Sequence, residues 1–401
     1  MTSMIEKITQ SPLRVVCEEQ TLSSGLTNNY RICDRCIMDT SDPDIVFDQN
    51  GVCNHCTKYF QKVGEELFTD GQGQARLERL IRQIKAIGKG KEYDCIIGVS
   101  GGVDSTLTAY IVKRKLGLRP LAVHLDNGWN SELAVHNVER TLKTLGIDLY
   151  TYVLDWEEFR DLQLSFLKAS VANSEAPTDH AIVALLYHMA SKIGVRHILT
   201  GSNIVGEGIH LPRTWGYDSK DWKQVKGIHR RFGRTKLKSF PHLSALHLFY
   251  YTFVKRFRFI PILNYFEYAK EDSKKMLQAE LGWRDYGGKH HESIYTRFYQ
   301  GYVTQRKFHF DKRRLHLSTL ICSEQITRAE ALRQMNGDSY PQNEVIEDKE
   351  FVLKKLGLSE DEFEAIMSLP VASHRDYPSH SLVFERMPNV VKLLRKIATN
   401  R

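Results

Sequence analysis

Between residues 93 and 200, short apolar runs alternate with longer stretches in which apolar side chains recur every three or four positions. Four runs have the length and composition of buried strands: Tyr93–Val99, Leu121–Leu125, Leu149–Leu154 and His197–Thr200. The stretches between them predict amphipathic helices, and Gly146 is placed to end the helix predicted for Ser131–Leu145. Strands that alternate with helices predict an α/β fold, a doubly wound parallel sheet covered on both faces.

After about residue 241 the alternation stops and signs of helices dominate. Thr327–Glu330 and Ser359–Glu362 fit the capping box that begins a helix, and the spacing of Val390, Leu394 and Ile397 predicts a final amphipathic helix. We therefore predict four regions: an N-terminal arm (1–30), a four-cysteine module (31–60), the sheet domain (61–240) and a mostly helical lobe (241–401).

Composition limits the classes of protein that fit this pattern. The chain is 42% hydrophobic and 26% charged, as in folded globular proteins. It has no apolar run near the roughly 18 to 20 residues of a membrane helix, and no signal-peptide pattern, so we expect a cytoplasmic protein without a membrane span. The net charge of +8 is compatible with nucleic acid, a nucleotide sugar or an acidic partner.

Four of the seven cysteines form two closely spaced pairs: Cys33, Cys36, Cys53 and Cys56. Two such pairs can place four thiolates around one Zn²⁺, and a site filled by sulfur leaves no position for water, so we predict structural zinc. An odd number of cysteines argues against a disulfide framework. A redox pair or an iron–sulfur cluster are the alternatives.

The run Ser100–Ser105 (SGGVDS) follows the first predicted strand and precedes a helix. Gly101 and Gly102 can adopt positive φ and let a ligand approach the backbone. Successive amides and a helix N-terminus then form an anion site, to which the two serines can add hydroxyl groups. The run lacks the ending of a Walker loop and the glycine spacing of a dinucleotide fold. We predict a phosphate-binding loop of another kind; a plain turn rich in small residues is the alternative.

SGGVDS resembles the pyrophosphate loop (PP-loop) of the ATP pyrophosphatase superfamily. The resemblance implies an adenine nucleotide alpha-hydrolase-like domain that cleaves ATP between the α and β phosphates, with Mg²⁺ near Asp104. It assigns ATP binding to the loop residues Ser100, Gly101, Gly102, Val103, Asp104 and Ser105, with Asp104 and Ser105 also catalytic. Neighbouring strand ends meet at the same sheet edge. We therefore expect ATP contacts from His124, Asp126, Gly201 and Ser202. Helix capping is the alternative for Asp126 and Ser202.

Further segments resemble the N-acetyl sugar amidotransferase family of surface-polysaccharide, O-antigen and lipopolysaccharide biosynthesis: 31–56, 98–105, 122–137, 154–163, 177–181, 281–293 and 311–332. The resemblance implies conversion of an acetamido group on a nucleotide-activated N-acetyl sugar to an acetamidino group. The amide oxygen would be adenylated with release of pyrophosphate, and ammonia would displace AMP. Ammonia would come from partner subunits resembling the glutaminase and cyclase of the histidine pathway.

The segment Gly282–Ser293 (GWRDYGGKHHES) supplies the remaining candidates. We expect Lys289 and His290 to take part in catalysis. Expected substrate contacts are Asp179, His180, Arg284, Asp285, His291 and Glu292. A polar linker is the alternative interpretation of this segment, and helix capping is the alternative for Asp179 and His180.

Residues 222–266 contain no Asp or Glu, and their basic side chains are interleaved with aromatic ones. This stretch could bind a diphosphate, an acidic partner or RNA, or it could be a solvated face. Rival functions are a tRNA-modifying PP-loop enzyme, either a thiolase or a lysidine-type ligase, and a zinc-scaffolded ATP-binding subunit without catalysis. A thiolase should carry redox cysteines near the loop, but only Cys322 follows it, so we do not expect nucleic acid to be the partner.

Overall fold

The computed structural model describes residues 30–288 and 291–380. Five strands form one sheet in the order β3-β2-β1-β4-β5, and every neighbouring pair is parallel. The strands are β1 (Cys95–Gly98), β2 (Pro120–Asp126), β3 (Asp148–Val153), β4 (His197–Thr200) and β5 (Arg258–Pro261). The predicted parallel α/β fold is confirmed, whereas the final helix predicted around residues 390–397 lies outside the described residues.

Helices cover both faces of the sheet. The first six are α1 (Asn54–Glu66), α2 (Gly71–Gly88), α3 (Val103–Tyr110, continued by a wider helical turn to Lys115), α4 (Glu132–Leu145), α5 (Trp156–Ala169) and α6 (Ala176–Ile193). Alternate side chains of β1 enter different cores: Ile96 packs with α5 and α6, and Ile97 packs with α2, α3 and α4. Gly146 ends α4 with a φ of +60°, as the sequence predicted.

The sheet extends past residue 240, where the sequence placed the boundary of the sheet domain. β5 pairs with β4, with Arg258 opposite His197 and Pro261 opposite Thr200. The strand is four residues long and lies within a basic, aromatic stretch, so it shows neither the alternation nor the length that marks a strand in sequence.

The rest of the described chain is mostly helical, as predicted. Its helices are α7 (Ile204–Glu207), α8 (Trp222–Phe232), α9 (Ala245–Phe249, continued to Val254), α10 (Lys270–Leu281), α11 (Ile294–Phe298, continued to Val303), α12 (Thr304–Lys307), α13 (Arg313–Cys322), α14 (Arg328–Asn336), α15 (Gln342–Leu356) and α16 (Glu360–Met367). Ser359 and Glu362 form both halves of a capping box, and Thr327 caps α14 through its own side chain. Across residues 30–288 and 291–380, no helix combines the length and apolar character needed to cross a bilayer.

The C-terminal helices share a core with one face of the sheet. Phe298 and Phe363 belong to the same buried cluster as Ile96 of β1. The Lys355 ammonium lies 5.1 Å from the Trp129 ring centroid and 4.9 Å from that of Trp156, where the ring faces attract a cation. These contacts hold the C-terminal helices next to the loop after β2.

Candidate active site and four-cysteine centre

The loop between β1 and α3 is closed by its own two serines. The Ser100 amide donates to Ser105 Oγ over 3.2 Å, and Ser105 Oγ donates to the Gly102 carbonyl over 3.1 Å. The Gly102 amide in turn donates to Ser100 Oγ over 3.3 Å. The serines therefore fix the shape of the loop in addition to presenting hydroxyl groups.

Two glycines allow the close packing around this loop. Gly101 has a φ of +82°, and a Cβ there would lie 2.4 Å from the Ala134 carbonyl oxygen. A Cβ on Gly201, at the end of β4, would lie 2.8 Å from the backbone carbon of Asp104. Any larger residue at either position would push the loop away from its neighbours.

A cavity of about 900 Å³ opens at the carboxyl edge of the sheet. Five residues predicted to bind ATP line it: Ser100, Ser105, His124, Gly201 and Ser202. Two residues predicted to contact the substrate also line it: Asp179 and Glu292. The fold thus brings together residues from three strand ends and from the C-terminal lobe, as expected for an open parallel sheet.

Both nitrogens of the His124 imidazole are held by hydrogen bonds. Its Nδ1 donates to the Val99 carbonyl over 2.8 Å, and its Nε2 accepts from the Asn130 amide over 3.1 Å. A carbonyl can only accept and an amide NH₂ only donates, which fixes the orientation of the ring. Since both nitrogens are engaged with the protein, His124 shapes the wall of the cavity.

The two aspartates predicted to bind ATP point toward protein partners and do not line the cavity. Asp104 accepts a hydrogen bond from the Tyr268 hydroxyl, and burial together with this carboxylate raises the pKa of Tyr268. Asp126 accepts from the Gly128 amide over 2.8 Å, a turn within the loop after β2, whereas Ser131 caps the helix that follows. Magnesium binding by Asp104 stays a prediction.

His180 is a correction to the sequence analysis. Its side chain is fully buried; Nδ1 donates to the Ser219 carbonyl over 2.7 Å, and Nε2 accepts from the Leu243 amide over 3.0 Å. Burial lowers the pKa of His180 to about 4, so the imidazole is neutral at physiological pH. Both nitrogens serve the backbone, which places His180 in the core and not at the substrate.

The segment after α10 buttresses the loop. Trp283 Nε1 donates to the Gly101 carbonyl over 2.9 Å, and the Val103 amide donates to the Tyr286 hydroxyl over 3.3 Å. Asp285 pairs with Lys274 at 2.8 Å, outside the cavity. Arg284 and His291 do not line the cavity either. Lys289 and His290 lie outside the described residues, so their catalytic role stays a prediction.

The sequence analysis missed a charged pair in the wall of the cavity. Glu175, just before α6, accepts from Lys312 Nζ and from Gln300 Nε2, each over 2.9 Å. Burial opposes ionisation of Glu175, but the Lys312 ammonium together with the hydrogen bonds from Gln300, Lys312 and Thr296 outweighs burial and holds the pKa of the carboxyl below its usual range. Glu175 and Lys312 are 137 residues apart and only the fold joins them, so no local pattern identifies the pair.

The four cysteines of the N-terminal module come together as predicted. Their sulfur atoms all lie within 4.8 Å of one another, and all four side chains are buried. The Cys53 amide donates to Cys33 Sγ over 3.2 Å, and the Met38 amide donates to Cys36 Sγ over 3.3 Å. Four buried sulfurs, two of which accept backbone amides, are the donor set of a structural zinc site.

The C-terminal lobe holds this centre from outside. Arg328 donates to the Cys33 and Cys36 carbonyls, each over 3.0 Å. Cys322 Sγ lies 3.7 Å from Cys56 Sγ. On the other side of the module, Lys62 and Glu66 of α1 line the cavity. The four-cysteine centre therefore fixes the position of one wall of the candidate active site.

Comparison with known families divides the chain into two parts. Residues 292–391 match the model described as "LPS biosynthesis protein WbpG-like, C-terminal domain". Residues 75–200 match the model of NAD synthase. One segment of the chain is thus similar to NAD synthase and another to the WbpG-like C-terminal domain. Both matches agree with the PP-loop superfamily and the lipopolysaccharide resemblance that the motifs indicated.

Individual relatives cover smaller parts. An uncharacterized protein of Methanocaldococcus jannaschii is 25% identical over 43% of this chain and 59% of its own length. The glutamine-hydrolyzing GMP synthase of Pyrobaculum aerophilum is 39% identical over 18% of this chain and 14% of its own length. The chain thus spans less than two thirds of either relative, and their complete activities do not transfer to it.

Two solved structures are similar to parts of this chain. The ammonia-dependent NAD synthetase of Campylobacter jejuni is 17% identical and covers 51% of this chain and 83% of its own, with a TM-score of 0.27. A predicted tRNA methyltransferase subunit of M. jannaschii is 18% identical and covers 45% of this chain and 74% of its own, also with a TM-score of 0.27. The fold assignment above rests on strand order and pairing in this chain.

Proposed function

We propose that the protein is an ATP-dependent amidotransferase that converts the acetamido group of a nucleotide-activated N-acetyl sugar to an acetamidino group. One observation carries the proposal: a single cavity is lined both by the PP-loop and by the beginning of the WbpG-like domain. The residues from that domain are Glu292, Ser293, Tyr295, Thr296, Gln300 and Lys312. A nucleotide and a sugar bound there would share one enclosed space.

The loop end of the cavity suits ATP. Ser100 and Ser105 face it beside the N-terminus of α3, whose partial positive charge favours an anionic phosphate chain. Asp104 is the only carboxylate in the loop and is the candidate to hold Mg²⁺. Bound with ATP, magnesium supplies positive charge to the departing pyrophosphate.

The chemistry requires two steps because an amide oxygen is a poor leaving group. The amide oxygen attacks the α phosphorus, the bond to the β-phosphate oxygen breaks, and pyrophosphate leaves. Ammonia then adds to the activated carbon, AMP departs with the former amide oxygen, and loss of a proton leaves the amidine. The contribution of the protein is to align the two substrates and to stabilise charge.

Glu292 is placed between the two substrate ends. A Cβ on Gly102 would lie 3.3 Å from Glu292 Oε1, so this carboxylate lies against the loop. It also belongs to the WbpG-like domain. We assign Glu292 to accept a proton from the attacking ammonia, which requires a base within reach of the reacting carbon. Ammonia would be delivered by partner subunits of the glutaminase and cyclase type.

The far end of the cavity suits the sugar. Glu175, Asp179, Gln300 and Lys312 offer carboxylate, amide and ammonium groups that can hydrogen-bond to hydroxyl or acetamido groups. The Glu175–Lys312 pair is fixed before the ligand binds, so little side-chain order has to be created on binding.

The test is to incubate the full chain with ATP, Mg²⁺, ammonium and a panel of nucleotide-activated N-acetyl sugars. We expect AMP and pyrophosphate in equal amounts, with mass spectrometry detecting replacement of one oxygen by NH. Release of ADP and orthophosphate, or AMP without an amidine, would reject the proposed reaction. A non-catalytic scaffold would form neither AMP nor pyrophosphate.

A further inference from the structure

Helix α9 and its continuation to Val254 expose an unusual number of large apolar side chains. Leu246 is 81% exposed, Phe249 57%, Tyr250 42% and Val254 58%. We call these four residues the apolar ridge. The opposite side of the same helix is packed, because Tyr251 is 8% exposed. The helix therefore has one apolar face in the core and another in water.

The inward face anchors the ridge firmly. The Tyr251 ring stacks on the rings of Tyr187 and Phe257, with centroids 5.3 Å apart in each case. Tyr187 belongs to α6, which covers the sheet. The helix that carries the ridge is therefore packed against the main core, and the ridge is exposed although its helix is well anchored.

Cations flank one end of the ridge. Lys255 Nζ lies 5.6 Å from the centroid of the Tyr250 ring, and Arg256 is exposed. Exposed Arg196 lies next to them, because the Arg258 amide donates to its carbonyl over 2.8 Å. The sequence from 222 to 266, which includes the whole ridge, contains no acidic residue.

We propose that the apolar ridge and its cations dock the protein on the surface of an anionic lipid bilayer. A helix with an apolar face beside basic side chains lies in the membrane interface, with aromatic rings at the boundary between acyl chains and headgroups. Each Lys or Arg near the surface adds attraction to anionic headgroups. The ridge supplies the apolar contact and Lys255, Arg256 and Arg196 supply the charge.

Three other partners for the ridge are a second copy of the chain, residues 381–401 and RNA, and each fits less well. A contact between two copies would bring together two chains of the same positive sign, and residues 222–266 of either copy contain no acidic residue to pair with the cations of the other. Residues 381–401 carry five basic side chains and one acidic side chain, so they have the same sign as the flank of the ridge. RNA would stack on aromatic rings, but Leu246 and Val254 offer no ring.

The ridge and the mouth of the cavity lie at opposite edges of the sheet. β5 begins at Arg258, close to the basic end of the ridge, and ends at Pro261, which lines the cavity. The ridge therefore adjoins the amino edge of the sheet and the cavity opens at the carboxyl edge. Docking would leave the cavity facing away from the lipid, where small substrates reach it. This inference does not depend on the proposed reaction.

The experiment uses the full chain and vesicles of phosphatidylcholine with or without phosphatidylglycerol, at low and high salt. We expect co-sedimentation with the anionic vesicles that weakens as salt rises. Leu246→Glu with Phe249→Glu should lower the partition coefficient at least about tenfold. Lys255→Glu with Arg256→Glu should lower it at low salt and remove most of the salt dependence.

A matched control is Leu369→Glu with Val371→Glu, which charges two other exposed apolar residues, 40% and 57% exposed. It should bind vesicles like the wild type. Phe249→Trp gives a direct signal, a blue shift of fluorescence on adding anionic vesicles. If the Glu pair misfolds by circular dichroism, Leu246→Ser with Phe249→Ser replaces it.

Three results would overturn the proposal. The wild type could remain in the supernatant with anionic vesicles at low salt. The ridge variants could bind as strongly as the wild type. Finally, the wild type could form a dimer that the Glu pair dissociates, while vesicles have no effect on either protein; the ridge would then be a contact between two copies.

Discussion

The four-cysteine centre and the ATP end of the cavity each have the groups to bind a charged ligand. The first is formed by residues close together in the chain, and the second by residues far apart in it. The sulfur atoms come from residues 33–56, and two turns bring them together. The cavity takes its walls from residues as distant as Lys62 and Lys312, and the whole sheet must form before they meet. A site of local origin can be recognised by spacing, whereas a site of distant origin can be recognised only where one of its parts is a motif.

Substitutions in the two regions should also have different effects on folding. Metal binding by four thiolates is coupled to folding, because the site does not exist in the unfolded chain. The PP-loop lies on a sheet that is stabilised by two apolar cores, so its polar side chains can be removed without unfolding the protein. The predictions below test this contrast, beginning with the largest effect.

Cys36→Ser should remove bound zinc and most of the soluble protein. Metal binding to such sites is worth on the order of 10 kcal/mol of apparent free energy, comparable with the whole stability of a domain. Metal content and yield are measured together. Cys95→Ala, in the sheet core, is the matched control and should keep its zinc. A folded, zinc-free Cys36→Ser protein would show that the centre is not structural.

Ser105→Ala and Asp104→Ala should each lower pyrophosphate release at least about a hundredfold, because charge stabilisation at the transferred group is lost. Both variants should stay folded, because the two apolar cores are untouched. Ser165→Ala is the matched control, since the Ser165 hydroxyl donates to the Asp161 carbonyl far from the loop. Full turnover in both loop variants would remove the case for a phosphate site at Ser100–Ser105.

These two regions also show which structural features can be predicted from the sequence. The parallel sheet, the loop and the cysteine centre were predicted because periodicity, glycine positions and paired cysteines are local signals. β5 was missed because four residues in a basic stretch carry no periodicity. Glu175 was missed because its importance comes from Lys312, which is near it only in the fold. His180 was misplaced because burial, which decides its role, cannot be read from a motif.

Glu175→Gln and Lys312→Met should separate sugar binding from ATP chemistry. Each removes a hydrogen-bonding group at the far end of the cavity, so KM for the sugar should rise about tenfold or more. The KM for ATP should stay within about twofold, because the loop is untouched.

The same variants have a stability signature. Each leaves one charge of a largely buried pair without its partner, which costs about 3 kcal/mol, and the double variant should recover part of that loss. The exposed pair Glu330–Arg333 is the control, and its removal should leave the free energy of unfolding nearly unchanged because water screens the two charges. Equal increases in the KM for ATP and for the sugar would contradict separate subsites.

The smallest expected effect is the loss of stability in acid. Outside the cysteine module, this loss should come from buried histidines of the apolar cores. Burial lowers the pKa of His180, His197 and His374 to about 4, below the ordinary value of 6.5. Their neutral forms stabilise the fold fully above pH 6.5, and this stabilisation is lost as pH falls toward 4 because the unfolded chain binds the protons first. His374 is the best probe, because within residues 30–288 and 291–380 neither ring nitrogen has a hydrogen-bond partner.

His374→Phe should therefore flatten the acid side of the stability profile. Phenylalanine can keep the stacking on Tyr217, whose ring centroid is 5.2 Å away, and it has no proton to take up. At pH 5 the variant should gain about 2 kcal/mol relative to the wild type, and the difference should vanish above pH 7. Urea unfolding at several pH values gives the free energy of unfolding of each protein. Between pH 4 and 6.5 its slope against pH should differ between the two proteins by the uptake of about one proton. Parallel curves for the two proteins would mean that His374 does not titrate with unfolding, and acid lability would then arise from His180 and His197 or from the cysteine centre, where protonation of the thiolates releases the metal.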